Sequence, residues 1–348
     1  MKINFSLQRP RKLVLSIAII TSIVLSFSGN IFASGSDKDE GATDFILHHV
    51  KDAHDWHFAT IGHTHLTIPL PVIIYSEDRG LEVFMSSQFK DHETHEPIWF
   101  EGYKIDEHEH IIAEDESRTI HDFSITKNVA MLFITAFVLM YLILKSASHY
   151  RKNPNSPPKG VASFLEPIII YIRDEIAKPN IGPKYKRYLP YLLTLFFFIW
   201  IGNLLGLIPG AANLTGNIAV TFTLAVLTFL ITNLSGNKDY WRHVFATPGV
   251  PIPLLPVMIP VEFIGLFTKP FSLMVRLFVA ITAGHIVILS LIGLTFIFKS
   301  LTVGILSTVM VLFINIIELL VATIQAYVFT LFTSMYIGAA VAEHHEDH

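Results

Sequence analysis

The stretch FSLMVRLFVAITAGHIVILSLIGLTFIF, Phe271 to Phe298, decides the fold of this chain. It holds 28 residues with one arginine and one histidine, and Leu301 to Ala342 holds a further 42 residues without a proline. As helices these stretches reach about 42 and 63 Å, whereas the hydrocarbon layer of a membrane is about 30 Å thick. We therefore expect two long, steeply tilted membrane helices, spanning 255–298 and 301–342 and joined by a short turn. A break of the longer helix near Asn315 is the alternative.

The composition of the whole chain indicates a membrane protein. Of its 348 residues 51% are hydrophobic and 16% are charged, and the mean hydropathy is +0.50. A soluble domain of this size does not absorb so many uninterrupted apolar runs. These runs predict further spans at about 129–147, 189–208 and 218–234. Alternating apolar and charged residues over 161–178 predict a helix on the inner membrane surface, stopped by Pro179. The fold class is therefore an all-α polytopic membrane protein.

The charges beside the spans predict the topology. Four basic residues follow the first span and place its far end in the cytoplasm; they are Lys145, Arg151, Lys152 and Lys159. The connector 209–217 carries no charge, so the tip of that helical hairpin faces outward. We therefore expect the N-terminus to lie outside the cytoplasm and the C-terminus inside it.

Residues 1–35 have the pattern of a secretory signal peptide. Basic residues precede an apolar stretch over 13–27, and small residues follow around Ala33 and Gly35. The alternative is an uncleaved anchor helix, for which the apolar run is short. In both cases the chain from Ser36 onward is exported.

The segment 36–126 is polar and forms an expected periplasmic extension ahead of the membrane domain 127–348. Between Ser34 and Ile125 the chain has 20 acidic residues, 6 Lys or Arg and 11 His. Alternating and β-branched stretches predict a small β-rich or disordered unit. Its histidine clusters, His92 with His95 and His108 with His110, either bind a divalent metal or form a solvated surface. The absence of cysteine from the whole chain excludes disulfides and thiolate metal sites.

Three ionisable side chains other than tyrosine lie within the apolar stretches 271–298 and 301–342; they are Arg276, His285 and Glu318. An ionised group in hydrocarbon costs at least about 2.5 to 3.5 kcal/mol, so such groups pair, face a cavity or mark a pathway. At about 100° per residue, Arg276 and His285 point to nearly opposite faces, while Glu318 and Gln325 share one. We expect Arg276 to face an outside partner and His285 to face the neighbouring helix, where Glu318 or Gln325 meets it. The alternative is ion pairs that only hold helices together.

These residue types suit a proton path with a barrier in it. Histidine and glutamate titrate and relay protons, whereas arginine does not release its proton in a protein. A fixed cation such as Arg276 attracts a carboxylate on a partner and blocks a continuous path past itself. Glu262 and Lys269 lie on the same helical stripe as Arg276, either as anchors at the inner surface or as channel groups.

Several motifs together resemble subunit a of the bacterial F-type ATP synthase. They are Glu262-Phe-Ile-Gly-Leu-Phe-Thr-Lys269-Pro-Phe-Ser272-Leu-Met-Val-Arg276, Ala283-Gly-His285 and Ile324-Gln325-Ala-Tyr-Val-Phe329. The stretches Ile172-Arg-Asp-Glu-Ile-Ala-Lys-Pro-Asn-Ile-Gly182 and Gly202-Asn203-Leu-Leu-Gly-Leu-Ile-Pro209 are similar to that family too. The resemblance covers the chain from about Asp122 to its C-terminus. One departure is Val279-Ala280, where the family usually has an asparagine.

The resemblance implies a stator with two offset half-channels beside a ring of c subunits. In that family an arginine faces the carboxylate of the ring, and Arg276 holds its position. The family's outward half-channel has a glutamate and a histidine, which some members hold in the reverse order; here they are His285 and Glu318. Gln325 matches the polar residue opposite the arginine. Glu262, Lys269 and Ser272 are possible accessory residues.

The same resemblance implies the partners and the division of labour. Protons pass between this subunit and the ring, and ATP synthesis occurs on other subunits. The expected partners are the c-ring, the subunit b peripheral stalk, the F1 sector through the stalks, and the lipid bilayer. The resemblance implies no cofactor, no resident metal and no nucleic acid, and the absence of a Gly-Lys dipeptide excludes a P-loop.

Two other functions compete with this interpretation. One is a stand-alone ion-coupled transporter, which often has internal repeats and broken helices, although no repeat is evident here. The other is a membrane-anchored metal-binding protein whose essential part is the segment 36–125. Ion flux through the purified chain alone favours the first, and loss of all function on deleting 36–125 favours the second.

Overall fold

The computed structural model describes residues 52–61, 64–90, 97–106, 109–115, 118–152, 157–208, 211–245, 252–298 and 300–342. The predicted signal peptide, the pair His92 and His95, and the C-terminal tail 343–348 lie outside these residues. The chain divides into two compact units, one containing Ala53–Ser124 and the other containing Ile125–His348 with the short segment Ala42–Asp52.

The first unit is built from short antiparallel strands. Its strands are β1 (Asp55–Ile61), β2 (Thr64–Pro69), β3 (Pro71–Ser76), β4 (Gly80–Met85), β5 (Tyr103–Ile105), β6 (Ile111–Ala113) and β7 (Ile120–Asp122). β1 pairs with β2 and β5 with β6, while β3 lies between β4 and β7 in a three-stranded sheet. The β-rich character predicted for the extension is thus present in its described residues.

An apolar cluster holds this small unit together. Side chains of β3 and β5 supply most of it, and they pack around the fully buried ring of Phe89; they are Val72, Ile74, Tyr103 and Ile105. The buried Tyr103 hydroxyl donates a hydrogen bond to Glu82 Oε2 at 2.7 Å, so the one polar atom of the cluster's largest side chain is satisfied.

The second unit consists of helices. They are α1 (Lys127–Lys152), α2 (Val161–Tyr171), α3 (Lys178–Ile181), α4 (Tyr185–Gly206), α5 (Ile218–Leu234), α6 (Lys238–Phe245), α7 (Leu255–Phe298) and α8 (Leu301–Val341). Among the described residues, four helical stretches are long and apolar enough to cross a membrane, or five if α5 and α6, bent by 104°, count as one span. The predicted fold class, an all-α polytopic membrane protein with a small β-rich extension, is confirmed.

The two long helices are α7, with 44 residues, and α8, with 41. α7 is helical through Pro260 and Pro270, and α8 is continuous through Asn315, so the alternative break at that position is not present. α8 packs against α7, α4 and α5, with Leu277 of α7 and Phe329 of α8 buried in the shared core.

The predicted end of the helix at 161–178 is wrong. After α2 the chain forms a π-helix at Ile172–Ala177 and then α3, so helical structure extends to Ile181. Pro179 lies in the first turn of α3, where a missing N–H is tolerated. The helical run ends instead at Gly182, whose φ of +72° suits glycine.

Polar contacts fix α8 against its neighbours. Asn203 of α4 donates to the Ala322 carbonyl at 3.2 Å and accepts from Thr215 at 2.7 Å, with all three groups buried. Near the end of α8, Ser334 donates to the Ile176 carbonyl at 3.1 Å, and a Cβ on Gly338 would overlap the Asn180 carbonyl oxygen. Because a buried polar group needs its partner, these contacts set the depth at which α8 lies.

Candidate functional site

The site lies where the middle of α7 meets α8. His285 Nε2 is 3.7 Å from Glu318 Oε1, and the Glu318 side chain is only 2% exposed. The expected contact between His285 and a polar residue of the neighbouring helix is therefore present, and its partner is Glu318. At 3.7 Å the pair is in electrostatic contact but is too long for a hydrogen bond.

The absence of a side chain at Gly284 leaves room for the Glu318 carboxylate. A Cβ at Gly284 would lie 2.8 Å from Glu318 Oε1 and 3.1 Å from its carboxyl carbon, closer than packed atoms allow. The missing side chain thus forms a notch in α7 that admits the carboxylate beside His285. No role for Gly284 was predicted from the sequence, although its position next to His285 in the Ala-Gly-His motif indicates that it lies close to the site.

Polar atoms around this notch are buried and have no hydrogen-bond partner within the described part of the chain. They are His285 Nε2 and both carboxylate oxygens of Glu318, and Thr282 Oγ1, three residues before His285 on α7, is likewise buried without a partner. A buried polar group without a partner costs free energy, and a carboxylate costs more than a hydroxyl. Such a cluster destabilises the fold if it serves only to hold helices together. Unpartnered titratable groups of this kind are suited to proton exchange.

Arg276 lies nine residues before His285 on α7. Its guanidinium carbon is 4.6 Å from the centroid of the Phe332 ring on α8, and its side chain is partly buried. One face of the guanidinium rests on this aromatic ring, and the expected contact of Arg276 with an outside partner stays a prediction. A cation against a ring face is held without an acidic partner, so its charge stays available to a second molecule.

The remaining predicted residues lie on the same two helices. Gln325 is partly buried on α8 and forms no hydrogen bond to Arg276 within the described residues. It lies seven residues from both Glu318 and Phe332, so the three share one face of α8. Ser272 is exposed and Glu262 is partly buried.

Lys269 lines a small cavity on the other side of Arg276 from His285. Lys269 Nζ is 5.9 Å from the Tyr336 ring centroid, and both residues border a cavity of about 20 Å³. Its wall includes Thr232, whose hydroxyl is buried without a partner among the described residues, and Tyr240. That volume accommodates about one water molecule.

The extension contains a separate polar cluster. The buried His54 imidazole is 3.4 Å from Glu109 Oε2 on one side and 3.7 Å from Asp122 Oδ2 on the other. Burial alone would lower the pKa of His54, but the two carboxylates outweigh it and raise the pKa to about 9. Burial alone would raise the pKa of Asp122, yet His54 and Ser124 lower it to about 2.

No group of three metal-ligating side chains is arranged to hold a metal ion in the described ranges of the chain. The histidine pairs proposed as metal ligands fall partly outside those ranges, since only His110 of the four is described. The metal-binding alternative for the extension therefore stays a prediction.

The geometry defines a class of protein: a polytopic helical membrane protein with a titratable pair and a fixed cation between its two longest helices. Comparison with known proteins narrows this class. Residues 129–338 match the family model described as ATP synthase A chain, and residues 45–132 match a domain of unknown function.

Proteins of similar sequence are also named as ATP synthase subunits. The chain is 48% identical to ATP synthase subunit a of Chloroherpeton thalassium over 65% of this chain and 69% of the relative. It is 41% identical to ATP synthase subunit a 2 of Chlorobium luteolum over 88% of this chain and 77% of the relative. It is 38% identical to ATP synthase subunit a of Chlorobium phaeobacteroides over 91% and 80%. The chain therefore belongs to the ATP synthase A chain family, the membrane-integral proton-channel subunits of the F0 sector.

We predict that Gly284→Ala slows ATP-driven proton pumping by the assembled complex. The new methyl group would displace the Glu318 carboxylate from its notch, and a misplacement of about 1 Å at a reacting group costs up to about 100-fold in rate. Gly265→Ala on the same helix is the matched control, because no atom lies within 4 Å of its added Cβ. Equal pumping rates in the two variants would show that the notch does not position the carboxylate.

A second prediction concerns the pH dependence of the extension. Because the pKa of His54 is raised to about 9, its stabilising contribution is fully present below about pH 6.5 and is lost as pH rises through about 9. The contribution of Asp122, whose pKa is lowered to about 2, is present above about pH 3.8 and is lost as pH falls through about 2. Hydrogen exchange of the β7 amides in the full chain measures both limbs.

His54→Ala should remove the alkaline limb and lower protection of β7 at pH 6. His121→Ala is the control, since His121 stacks on Tyr75 outside the cluster. Protection that is unchanged between pH 6 and pH 10 in the unmodified chain, after correction for intrinsic exchange, contradicts the assignment.

Proposed function

We propose that this chain is the stator of the F0 sector and provides two half-channels that load and unload protons on the carboxylate of a c-ring. The observation that carries the proposal is the combination of the His285–Glu318 pair at 3.7 Å with Arg276 nine residues away on the same helix. Nine residues correspond to about 13 Å along the helix axis. The titratable pair and the fixed cation are thus at different depths.

The outer half-channel ends at His285 and Glu318. Their buried oxygen and nitrogen atoms lack hydrogen-bond partners within the described chain, and both side chains titrate. A proton that arrives there from outside is passed to a ring carboxylate, which then becomes neutral and can enter the lipid. The shared face of Glu318, Gln325 and Phe332 continues from this pair towards Arg276.

Arg276 separates the two half-channels. Its guanidinium does not release its proton, and its contact with Phe332 holds it at 4.6 Å from that ring without neutralising its charge. A deprotonated ring carboxylate is attracted to it, and a protonated one is not, so the ring cannot pass this point while carrying its proton.

The inner half-channel lies on the Lys269 side of Arg276. It is supported by the water-sized cavity that the polar side chains of Lys269, Tyr240 and Thr232 border. This position favours Lys269 as a group beside the inner path over a purely interfacial anchor. Glu262, one stripe position further along α7, remains at the inner surface in this account.

The remaining parts of the proposal follow the family. The chain itself is not catalytic; the subunit b stalk holds it against rotation, and the F1 sector makes ATP when the ring turns. Its N-terminus is periplasmic after signal-peptide cleavage, and its C-terminus is cytoplasmic. The basic residues Lys145, Arg151 and Lys159 around the end of α1 support this orientation.

Arg276→Ala should abolish ATP-driven proton pumping while leaving the subunit in the membrane. A fixed charge about 4 Å from a carboxylate is worth a few kcal/mol, so we expect a loss on the order of 100-fold or more. The measurement is acidification of vesicles containing the complete complex, with the amount of assembled subunit determined in parallel. Arg187→Ala is the control because Arg187 stacks on Tyr188, away from the site. Normal pumping by Arg276→Ala would refute the separation of the half-channels.

Glu318→Gln and His285→Ala should each slow coupled transport by at least about tenfold. General acid–base catalysis contributes about 100-fold or more to a rate that proton transfer limits, and the loss is smaller where another step shares that limit. Assembly should change less. The double variant His285→Glu with Glu318→His restores one acid and one imidazole at the same contact, so it should transport faster than either single variant. Glu175→Gln, at an exposed position of the π-helix, is the control. Wild-type rates in a single variant remove that residue from the path.

A further inference from the structure

A second cavity lies between the end of α1 and the start of α2, away from the site between the long helices. Its volume is about 340 Å³. Lys145, Ser148 and His149 of α1 form one wall, and residues 159–162 form the other. Since 145, 148 and 149 are spaced by three and four residues, they share one face of α1.

The polar groups around this cavity all favour an anion. Lys145 and Lys159 are exposed, and neither is paired with a carboxylate within the described residues. Lys145 Nζ donates to the Tyr141 hydroxyl at 3.0 Å, which holds the ammonium group at the cavity. His149 Nε2 is buried and has no hydrogen-bond partner in the described chain.

The backbone contributes to the same preference. α2 begins here, and its N-cap is Gly160, which supplies no side-chain cap to the first amides of the helix. Uncapped amides at a helix N-terminus point towards a bound anion and carry the positive end of the helix dipole. Gly160 has a φ of +63°, so the turn that aims these amides at the cavity requires glycine.

The surface next to the cavity is apolar, which decides the kind of anion. Phe137, Tyr141 and Leu144 are 69%, 52% and 61% exposed and lie on the face of α1 that also carries Ser148. A dissolved anion makes no favourable contact with this apolar face of α1. A molecule with an anionic head and long apolar chains contacts both, and basic pockets of this kind at the cytoplasmic side bind lipid head groups.

We propose that this cavity binds the phosphate group of an anionic membrane phospholipid. Lys145 and Lys159 attract the phosphate, the first amides of α2 and His149 Nε2 donate to its oxygens, and the acyl chains lie along the Phe137 to Leu144 face of α1. The bound lipid thereby contacts both α1 and α2. This site is independent of the proton path and of the proposed stator function.

The test uses the full-length chain, delipidated in detergent and offered phosphatidylglycerol or phosphatidylcholine. Native mass spectrometry counts the lipids bound to each chain as the lipid concentration is raised. Each lysine near the head group is worth about fivefold in affinity, so the unmodified chain should prefer phosphatidylglycerol by about 25-fold. The double variant Lys145→Gln with Lys159→Gln should lose that preference and retain its affinity for phosphatidylcholine.

Controls separate charge, folding and the source of the phosphate. Lys145→Arg with Lys159→Arg should keep the preference, and Lys186→Gln, exposed at the start of α4, should not alter it. An unchanged preference in the double glutamine variant overturns the proposal. Displacement of phosphatidylglycerol by millimolar inorganic phosphate also overturns it, because the site would then be one for free anions. These results leave proton pumping untouched, so the two proposals fail separately.

Discussion

A cation that cannot release its proton, set between helices of low polarity, is the constraint on which the rest of this membrane unit depends. Arg276 is placed on α7 with its guanidinium carbon 4.6 Å from the Phe332 ring centroid, and no carboxylate among the described residues pairs with it. In hydrocarbon such a charge is costly unless it has a partner. A carboxylate on another molecule can act as that partner, and the proposed function assigns this role to the c-ring.

Both long helices, α7 and α8, exceed the length of an upright span. Arg276 and His285 are nine residues apart on α7, about 13 Å along the helix axis, so Arg276 and the His285–Glu318 pair lie at different levels. The hydrogen bonds from Asn203 and Ser334, together with the absence of a side chain at Gly338, fix α8 along its axis. A shift of α8 by one residue would separate Glu318 from the notch at Gly284.

Arg276 also contacts α8, through Phe332, although helical periodicity placed it on the face of α7 opposite His285. Periodicity was correct for His285, which faces α8 and meets Glu318 there. It could not predict the notch at Gly284 or the ring under Arg276, since both depend on how far α8 is shifted along α7. The end of the helix at Ile181 was missed for another reason. A proline usually marks a helix boundary, but the π-helix at Ile172–Ala177 and a new first turn accommodate Pro179.

The most direct test of the central claim is disulfide cross-linking in the complete complex, and the chain is well suited to it because it has no cysteine of its own. Val279 is 49% exposed and lies on the same side of α7 as Arg276, whereas Phe267 is 51% exposed and lies on the opposite side. With a cysteine beside the carboxylate of the ring subunit, Val279→Cys should form the cross-link and Phe267→Cys should not. A Val279→Cys subunit that reacts freely with aqueous thiol reagents and never with the ring would contradict the account.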